Sequence, residues 1–157
     1  IFLKIRYYLE NTMSMSRSTT PCLGICSTTY GDNVCKGCKR FVHEVIDWNK
    51  FNSNEKEVVN NRLEKFKQIV LKERFCVDDQ DLLASKLKEN GIRFNDSLDP
   101  ITWIFDLLRA SGSQELDLDE FGITASNNEL LSITRDAINK EFLELSEAHH
   151  DRYFKAL

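Results

Sequence analysis

Four cysteines stand close together near the start of the chain, in the pattern C-x3-C-x8-C-x2-C. They are Cys22, Cys26, Cys35 and Cys38, whereas the fifth cysteine, Cys76, stands apart. A tetrahedral metal site needs four thiolates at one point, and two close pairs joined by a returning loop meet that need. An odd number of cysteines, four of them within seventeen residues, fits a metal site in a reducing compartment better than two disulfides. We therefore predict a metal centre with the four clustered cysteines as its ligands.

The spacing alone leaves the metal open between zinc and an iron–sulfur cluster. Four thiolates around zinc, or around an oxidised iron–sulfur core, carry a net charge of about −2. Lys36, Lys39 and Arg40 could offset either charge, so the charge does not decide between them. The pattern slightly favours zinc, because closed Cys₄ zinc sites are common and this order is not a familiar ferredoxin run.

A resemblance to a known family adds to this reading. The stretch from about residue 21 to residue 63 resembles the bacterial family catalogued as domain of unknown function 1289, often labelled predicted iron–sulfur proteins. Phe41 departs from the small polar residue expected at its position. The resemblance implies a metal but names no reaction, and it leaves iron–sulfur and zinc evenly balanced. The matching residues are Pro21, Cys22, Gly24, Cys26, Cys35, Gly37, Cys38, Arg40, Glu44 and Trp48.

Two helices are predicted directly after the cysteines. Residues 39–49 carry an apolar stripe that includes Trp48, which we expect to pack close to the metal loop. The next helix begins near Asn54, which is placed to cap it with Glu57 three residues further on. Its predicted apolar stripe consists of Val58, Val59, Leu63, Phe66, Ile69 and Val70.

Further helices are predicted in the second half of the chain. Residues 78–90 form one, closed by Gly91 as a left-handed cap, and Asp99-Pro100 opens another with Asp as cap and Pro at the first helical position. Its predicted core face is Ile101, Ile104, Phe105 and Leu108.

The end of the chain predicts a weak strand and a long helix. Leucines alternate with acidic residues over residues 115–121, which is a strand signal. Ser126 and Glu129 match a capping box for a last helix that ends near Tyr153. The fold class is therefore mainly α, with a C-terminal region that is helical, or α+β if the strand forms.

Charge divides the chain into two parts. Residues 35–74 hold ten Lys/Arg against six Asp/Glu, whereas residues 75–157 hold eight against seventeen. We predict a flexible lead-in over residues 1–20, a Cys₄ metal-binding module with helices over residues 21–75, and an acidic helical region over residues 76–157. Met13 and Met15 are candidate first residues of the natural chain.

Other candidate sites are weaker. His43 fits an ordinary helix position better than metal ligation, because four thiolates already close the site. His149 and His150 stand at the end of the last predicted helix, where metal binding would need distant partners. Cys76 follows Phe75 in an apolar context and is expected to be a small buried hydrophobic residue. The chain has no Gly-rich phosphate loop, Ser-His-Asp order or nucleophile elbow, so we expect no catalytic residues.

Three functions follow from these patterns. The first is a non-catalytic metal-binding module, cytoplasmic, whose acidic half contacts a protein partner. The second is an iron–sulfur protein that transfers electrons or senses oxidants. The third is a nucleic-acid-binding zinc ribbon, with Lys65 and Lys67 among its phosphate contacts, which the acidic half disfavours. No membrane segment is expected, because the apolar stretch at residues 1–9 is shorter than the ~20 residues that span a bilayer.

Overall fold

A computed structural model describes residues 20–24, 31–112 and 114–155, and confirms the mainly α fold. The chain divides into two compact units, Ile1–Leu63 and Glu64–Leu157. Charge and composition suggest a domain boundary between residues 75 and 76, and that boundary stays a prediction. The predicted lead-in lies outside the described residues except for Thr20. No helix in the described ranges is both long and apolar enough to cross a membrane.

The described part of the first unit holds two helices and one 3₁₀ turn. Helix α1 spans Val42–Ile46, a 3₁₀ helix follows at Trp48–Lys50, and helix α2 spans Ser53–Lys72, which continues into the second unit. Helix α2 is capped by Asn52, not by the predicted Asn54. The Asn52 side chain accepts from the Glu55 N–H at 2.9 Å, and the Glu55 carboxylate accepts from the Asn52 N–H at 3.0 Å. The predicted capping box therefore exists, two residues earlier in the chain.

The apolar stripe of α2 is narrower than predicted. Val59, Leu63, Phe66 and Val70 are buried, as is Leu71, which the prediction omitted. Val58 and Ile69 were predicted within the stripe, yet their side chains are 67% and 44% exposed. Val58 and Ile69 each directly precede a buried residue. Because consecutive residues of a helix are about a quarter-turn apart, both side chains point away from the buried face.

The second unit places two short strands between its helices. Strand β1 (Phe75–Val77) pairs antiparallel with β2 (Ile123–Ala125). Helix α3 spans Gln80–Glu89, α4 spans Pro100–Ser111 and α5 spans Leu131–Phe154. The strand predicted at residues 115–121 is wrong, since that region contains a 3₁₀ helix, Leu118–Phe121. Strands of three residues are too short for their alternation to be recognised in a sequence.

Several predicted helix ends are confirmed. The Asp99 carboxylate accepts from the Ile101 N–H at 3.0 Å, with Pro100 at the first helical position of α4. Gly91 follows α3 with a φ of +66°, in the left-handed region. The predicted core face of α4 is buried throughout, together with Trp103 and Leu107.

The capping box predicted for the last helix is wrong. Helix α5 begins at Leu131, and its N–H donates to both carboxylate oxygens of Glu115, at 2.9 and 3.2 Å. Sixteen residues separate the two groups in sequence. A local pattern around Ser126 and Glu129 cannot reveal a cap supplied from that distance.

Cys76 is exposed, which corrects the expectation that it is buried. It lies at the middle of β1, between the buried Phe75 and the half-buried Val77. Side chains alternate between the two faces of a strand, so the burial of Phe75 directs Cys76 outwards.

Candidate metal centre

The second cysteine pair lies on a tight reversal of the chain. Val34 and Phe41 form an isolated antiparallel bridge at its base, and inside it the Cys35 N–H donates to the Arg40 carbonyl at 2.8 Å. The Lys39 N–H donates to the Cys35 carbonyl, also at 2.8 Å. These bonds close a knuckle, residues 35–40, that carries both Cys35 and Cys38.

Lys39 permits the sharp turn at an energetic cost. Its φ of +68° lies in the left-handed region, which costs a residue with a Cβ about 1–2 kcal/mol. The ammonium group turns back and donates to the carbonyls of Lys36 at 2.6 Å and Gly37 at 2.8 Å. Lys39 thereby satisfies two backbone acceptors of the knuckle and places its positive charge against the backbone between Cys35 and Cys38.

Both thiols of the knuckle are buried. Cys35 is 2% exposed and Cys38 is 6% exposed. The Arg40 Nε–H donates to Cys38 Sγ at 3.2 Å. Burial raises the pKa of the Cys38 thiol, and the hydrogen bond and positive charge of Arg40 offset part of that rise.

The first cysteine pair is described only in part. Cys22 is exposed, and its Sγ accepts from the Gly24 N–H at 3.4 Å, while Cys26 lies outside the described residues. Within residues 20–24, 31–112 and 114–155, no three His, Cys, Asp or Glu side chains are grouped to hold a metal ion. Cys35 and Cys38 thus lie on one knuckle, and the convergence of all four cysteines stays a prediction.

A buried ion pair connects the end of the knuckle with α2. The Glu44 carboxylate accepts two hydrogen bonds from the Arg62 guanidinium, at 2.7 and 2.6 Å. It also accepts from the Phe41 N–H at 3.0 Å, and the Arg62 guanidinium lies 4.0 Å from the Phe41 ring centroid. This contact explains how a large aromatic residue is accommodated at position 41. The sequence indicated Glu44 as a matching residue but did not reveal its partner, eighteen residues away.

Trp48 is buried beside the knuckle, in agreement with the sequence prediction. Its side chain is 8% exposed. The guanidinium carbon of Arg40, two residues beyond Cys38, lies 4.8 Å from the ring centroid, and the Lys56 ammonium lies 5.6 Å from it. The indole is thus covered by two cations, one of them hydrogen-bonded to a cysteine.

The histidines lie in aromatic or exposed surroundings. His43 is exposed, with its ring centroid 5.9 Å from that of Phe41. His149 packs against Phe66 at 5.5 Å between ring centroids, and His150 packs against Phe154 at 4.8 Å. These surroundings suit ordinary helix residues.

The geometry defines a small cysteine-bearing helical segment whose knuckle buries two thiols, one of them hydrogen-bonded to an arginine. Residues 20–67 of the chain match the family model described as "Protein of unknown function (DUF1289)". The match confirms the family resemblance over this segment, which contains all four clustered cysteines. No curated protein and no solved structure matches the chain.

Proposed function

We propose that the chain is a non-catalytic metal-binding protein in which Cys22, Cys26, Cys35 and Cys38 hold one metal centre. The observation that carries the proposal is the burial of two thiols on one hydrogen-bonded knuckle, with Arg40 donating to the sulfur of Cys38. Two such thiols supply half of a tetrahedral sulfur site, and the other pair completes it.

The surroundings of the knuckle suit an anionic metal–thiolate centre. A Cys₄ site carries about −2 on zinc or on an oxidised cluster, and buried charge requires compensation. The Arg40 guanidinium supplies a positive charge at Cys38 Sγ, and the Lys39 ammonium supplies a second one at the backbone carbonyls between Cys35 and Cys38. When bound, the metal would cross-link the loop, while the residues of the knuckle position two of the sulfurs and shield them from water.

The same knuckle is poorly suited to thiol–disulfide catalysis. Reactive cysteines in C-x-x-C enzymes have lowered pKa values and partial exposure. Here the pKa of the Cys38 thiol is raised by burial, and both thiols are nearly inaccessible. These properties favour a structural or electron-transfer centre over a nucleophilic one.

Iron–sulfur redox function is the second candidate. The Arg40 Nε–H bond to Cys38 Sγ favours it, because hydrogen bonds to cluster sulfurs are one of the means by which proteins set reduction potentials.

Nucleic-acid binding is less well supported. Lys39 and Arg40, two of the cations nearest the cysteines, are each 3% exposed, so they contribute little to a phosphate-binding surface.

The acidic region is the proposed contact for a protein partner. Residues 75–157 have a surplus of nine acidic over basic residues, and Leu130 and Ile133 at the start of α5 are 56% and 53% exposed. A basic partner surface with an apolar centre would suit this combination. Weak association that is lost at high salt is the expected signature.

One purification tests the metal proposal and separates its two forms. The intact chain is isolated with and without air, and metal content, acid-labile sulfide and the visible spectrum are measured. One zinc per chain without a visible band identifies the structural form. Iron with labile sulfide, and a band that bleaches on reduction, identifies the redox form. A chain that binds neither metal in either preparation contradicts the proposal.

A further inference from the structure

Arg40 is a buried arginine with an unusual set of partners. It is 3% exposed, its Nε–H donates to Cys38 Sγ at 3.2 Å, and its guanidinium carbon lies 4.8 Å from the Trp48 ring centroid. Its carbonyl accepts from the Cys35 N–H, so the same residue also closes the backbone of the knuckle. Arg40 is thus held by the knuckle on one side and by the indole on the other.

The charge of Arg40 is not matched by a carboxylate in the described part of the chain. No Asp or Glu oxygen among those residues forms an ion pair with its guanidinium. The half-buried arginines Arg62 and Arg74 differ, since each makes two hydrogen bonds to one carboxylate, on Glu44 and Glu141. Burying an unpaired charge is costly, and a neutral thiol is only a weak acceptor. The position of Arg40 therefore suits a metal-bound thiolate at Cys38, whose negative charge the guanidinium would offset.

We propose that Arg40 is a positioning residue that compensates the charge of the metal-bound Cys38 thiolate, with Trp48 fixing the guanidinium in place. The inference rests on the proposed metal centre and adds a residue that sets its metal affinity and its electronic spectrum. A guanidinium hydrogen bond to a bound thiolate stabilises the charged form and lowers the electron density that the sulfur donates to the metal. Arg40 thereby strengthens metal retention and shifts the electronic spectrum of the centre.

The test uses Co²⁺ as the probe metal on the intact chain, because its thiolate complexes have an intense charge-transfer band. Affinity is measured by chelator competition for the wild type, Arg40→Met and Arg40→Lys. Arg40→Met keeps an unbranched side chain and removes the charge, and we expect it to weaken Co²⁺ binding about 10- to 100-fold. Arg40→Lys keeps the charge without the planar donor, so its affinity should fall between the other two.

The control is Lys50→Met, which removes a cation that lies outside the knuckle and whose side chain is 80% exposed. We expect it to change the affinity by less than about threefold, because exposed charges are screened. The band itself provides a readout that general destabilisation would not move. Loss of the sulfur hydrogen bond should shift the band to longer wavelength in both Arg40 variants, whereas Lys50→Met should leave it unchanged.

The outcomes separate the inference from the function on which it rests. A wild-type chain that gives no thiolate band with Co²⁺ contradicts the proposed metal centre itself. A wild-type chain that binds Co²⁺, with Arg40 variants that match Lys50→Met in affinity and band position, overturns the role of Arg40 and leaves the proposed metal centre unaffected. If Arg40→Met does not fold, Arg40→Lys decides alone: a shifted band supports the role, and a wild-type band with wild-type affinity overturns it.

Discussion

Glu44 and Arg62 form a two-point ion pair, with donor–acceptor distances of 2.7 and 2.6 Å, between α1 and α2. Their side chains are 6% and 14% exposed. The Glu44 carboxylate also accepts from the Phe41 N–H, so one buried group joins the end of the knuckle to both helices. The end of the cysteine knuckle is therefore joined to α2 by side chains that are not candidate metal ligands.

Glu44→Ala should lower the free energy of unfolding by about 3–5 kcal/mol, because it leaves the Arg62 guanidinium buried without its partner. Urea denaturation at fixed metal content measures the change. The matched control is Glu144→Ala, in the exposed pair with Lys140, which should cost less than about 1 kcal/mol. The double variant Glu44→Met/Arg62→Met should recover about half of the loss or more, since no charge is then left unpaired. Losses that simply add in the double variant would contradict this account.

Two glycines with similar backbones should respond differently to alanine. Gly122 has a φ of +68°, and an added Cβ would lie 2.9 Å from the Asp79 carbonyl oxygen. Gly91 has a φ of +66°, with nothing within 4 Å of the same position. Gly91→Ala should cost about 1–2 kcal/mol of backbone strain, and Gly122→Ala should cost at least ~1 kcal/mol more. Equal losses on thermal or urea unfolding would show that the close approach at Gly122 is unimportant.

Asp106 should make stability depend on pH in an unusual direction. Burial raises its pKa from 3.8 to about 6, with Glu64 adding to the rise and Lys67 and Arg109 opposing it. The folded chain then binds this proton more tightly than the unfolded chain. Its stabilising contribution is full below pH 4 and is lost as pH rises through about 6, a change on the order of 2–3 kcal/mol.

Asp106→Asn removes this titration, so the variant should be more stable than the wild type at pH 7.5. Near pH 4 the free energies of unfolding of the two chains should become similar. Urea unfolding across this range measures the difference between the two. Asp96→Asn, at an exposed carboxylate, is the control, and its free energy of unfolding should change with pH as that of the wild type does. If Asp106→Asn also runs parallel to the wild type, Asp106 does not titrate near pH 6 in the folded chain.

Metal removal should affect the two units unequally. If the centre forms as proposed, a chelator should remove hydrogen-exchange protection from roughly residues 22–49. Structural zinc can contribute on the order of 10 kcal/mol, more than the stability of many small domains. Helix α5 (Leu131–Phe154) should keep its protection, because its cap from Glu115 and its bidentate pair between Glu141 and Arg74 involve no metal. Uniform loss along the chain would show one cooperative core instead.

Local patterns predicted the parts of this fold that depend on neighbouring residues. Asp99-Pro100 and Gly91 were assigned correctly, because a cap is determined by groups within one turn of it. The Glu115 cap on α5 and the pairing of β1 with β2 were missed, because their partners are far apart in sequence. Exposed Cys76 was missed for the same reason, since its strand was not recognised.

In the candidate site, too, local patterns predicted the location, whereas contacts that the folded chain makes were missed. The cysteine spacing and the family resemblance pointed to residues 22–38, and the match over residues 20–67 agrees with that location. The partners of Arg40 and Glu44 required the structure. A hydrogen bond to Cys38 and an ion pair across eighteen residues depend on how the chain folds back, which residue spacing does not encode.

The most direct test of the central claim is X-ray absorption at the edge of the metal that copurifies with the intact chain. The account predicts four sulfur neighbours, at about 2.3 Å if the metal is zinc, with the count or the bound metal falling when Cys22, Cys26, Cys35 or Cys38 is changed to Ser. Cys76→Ser is the matched control and should leave both unchanged. A first shell of nitrogen and oxygen, or a sulfur shell that survives loss of the clustered cysteines, would contradict it.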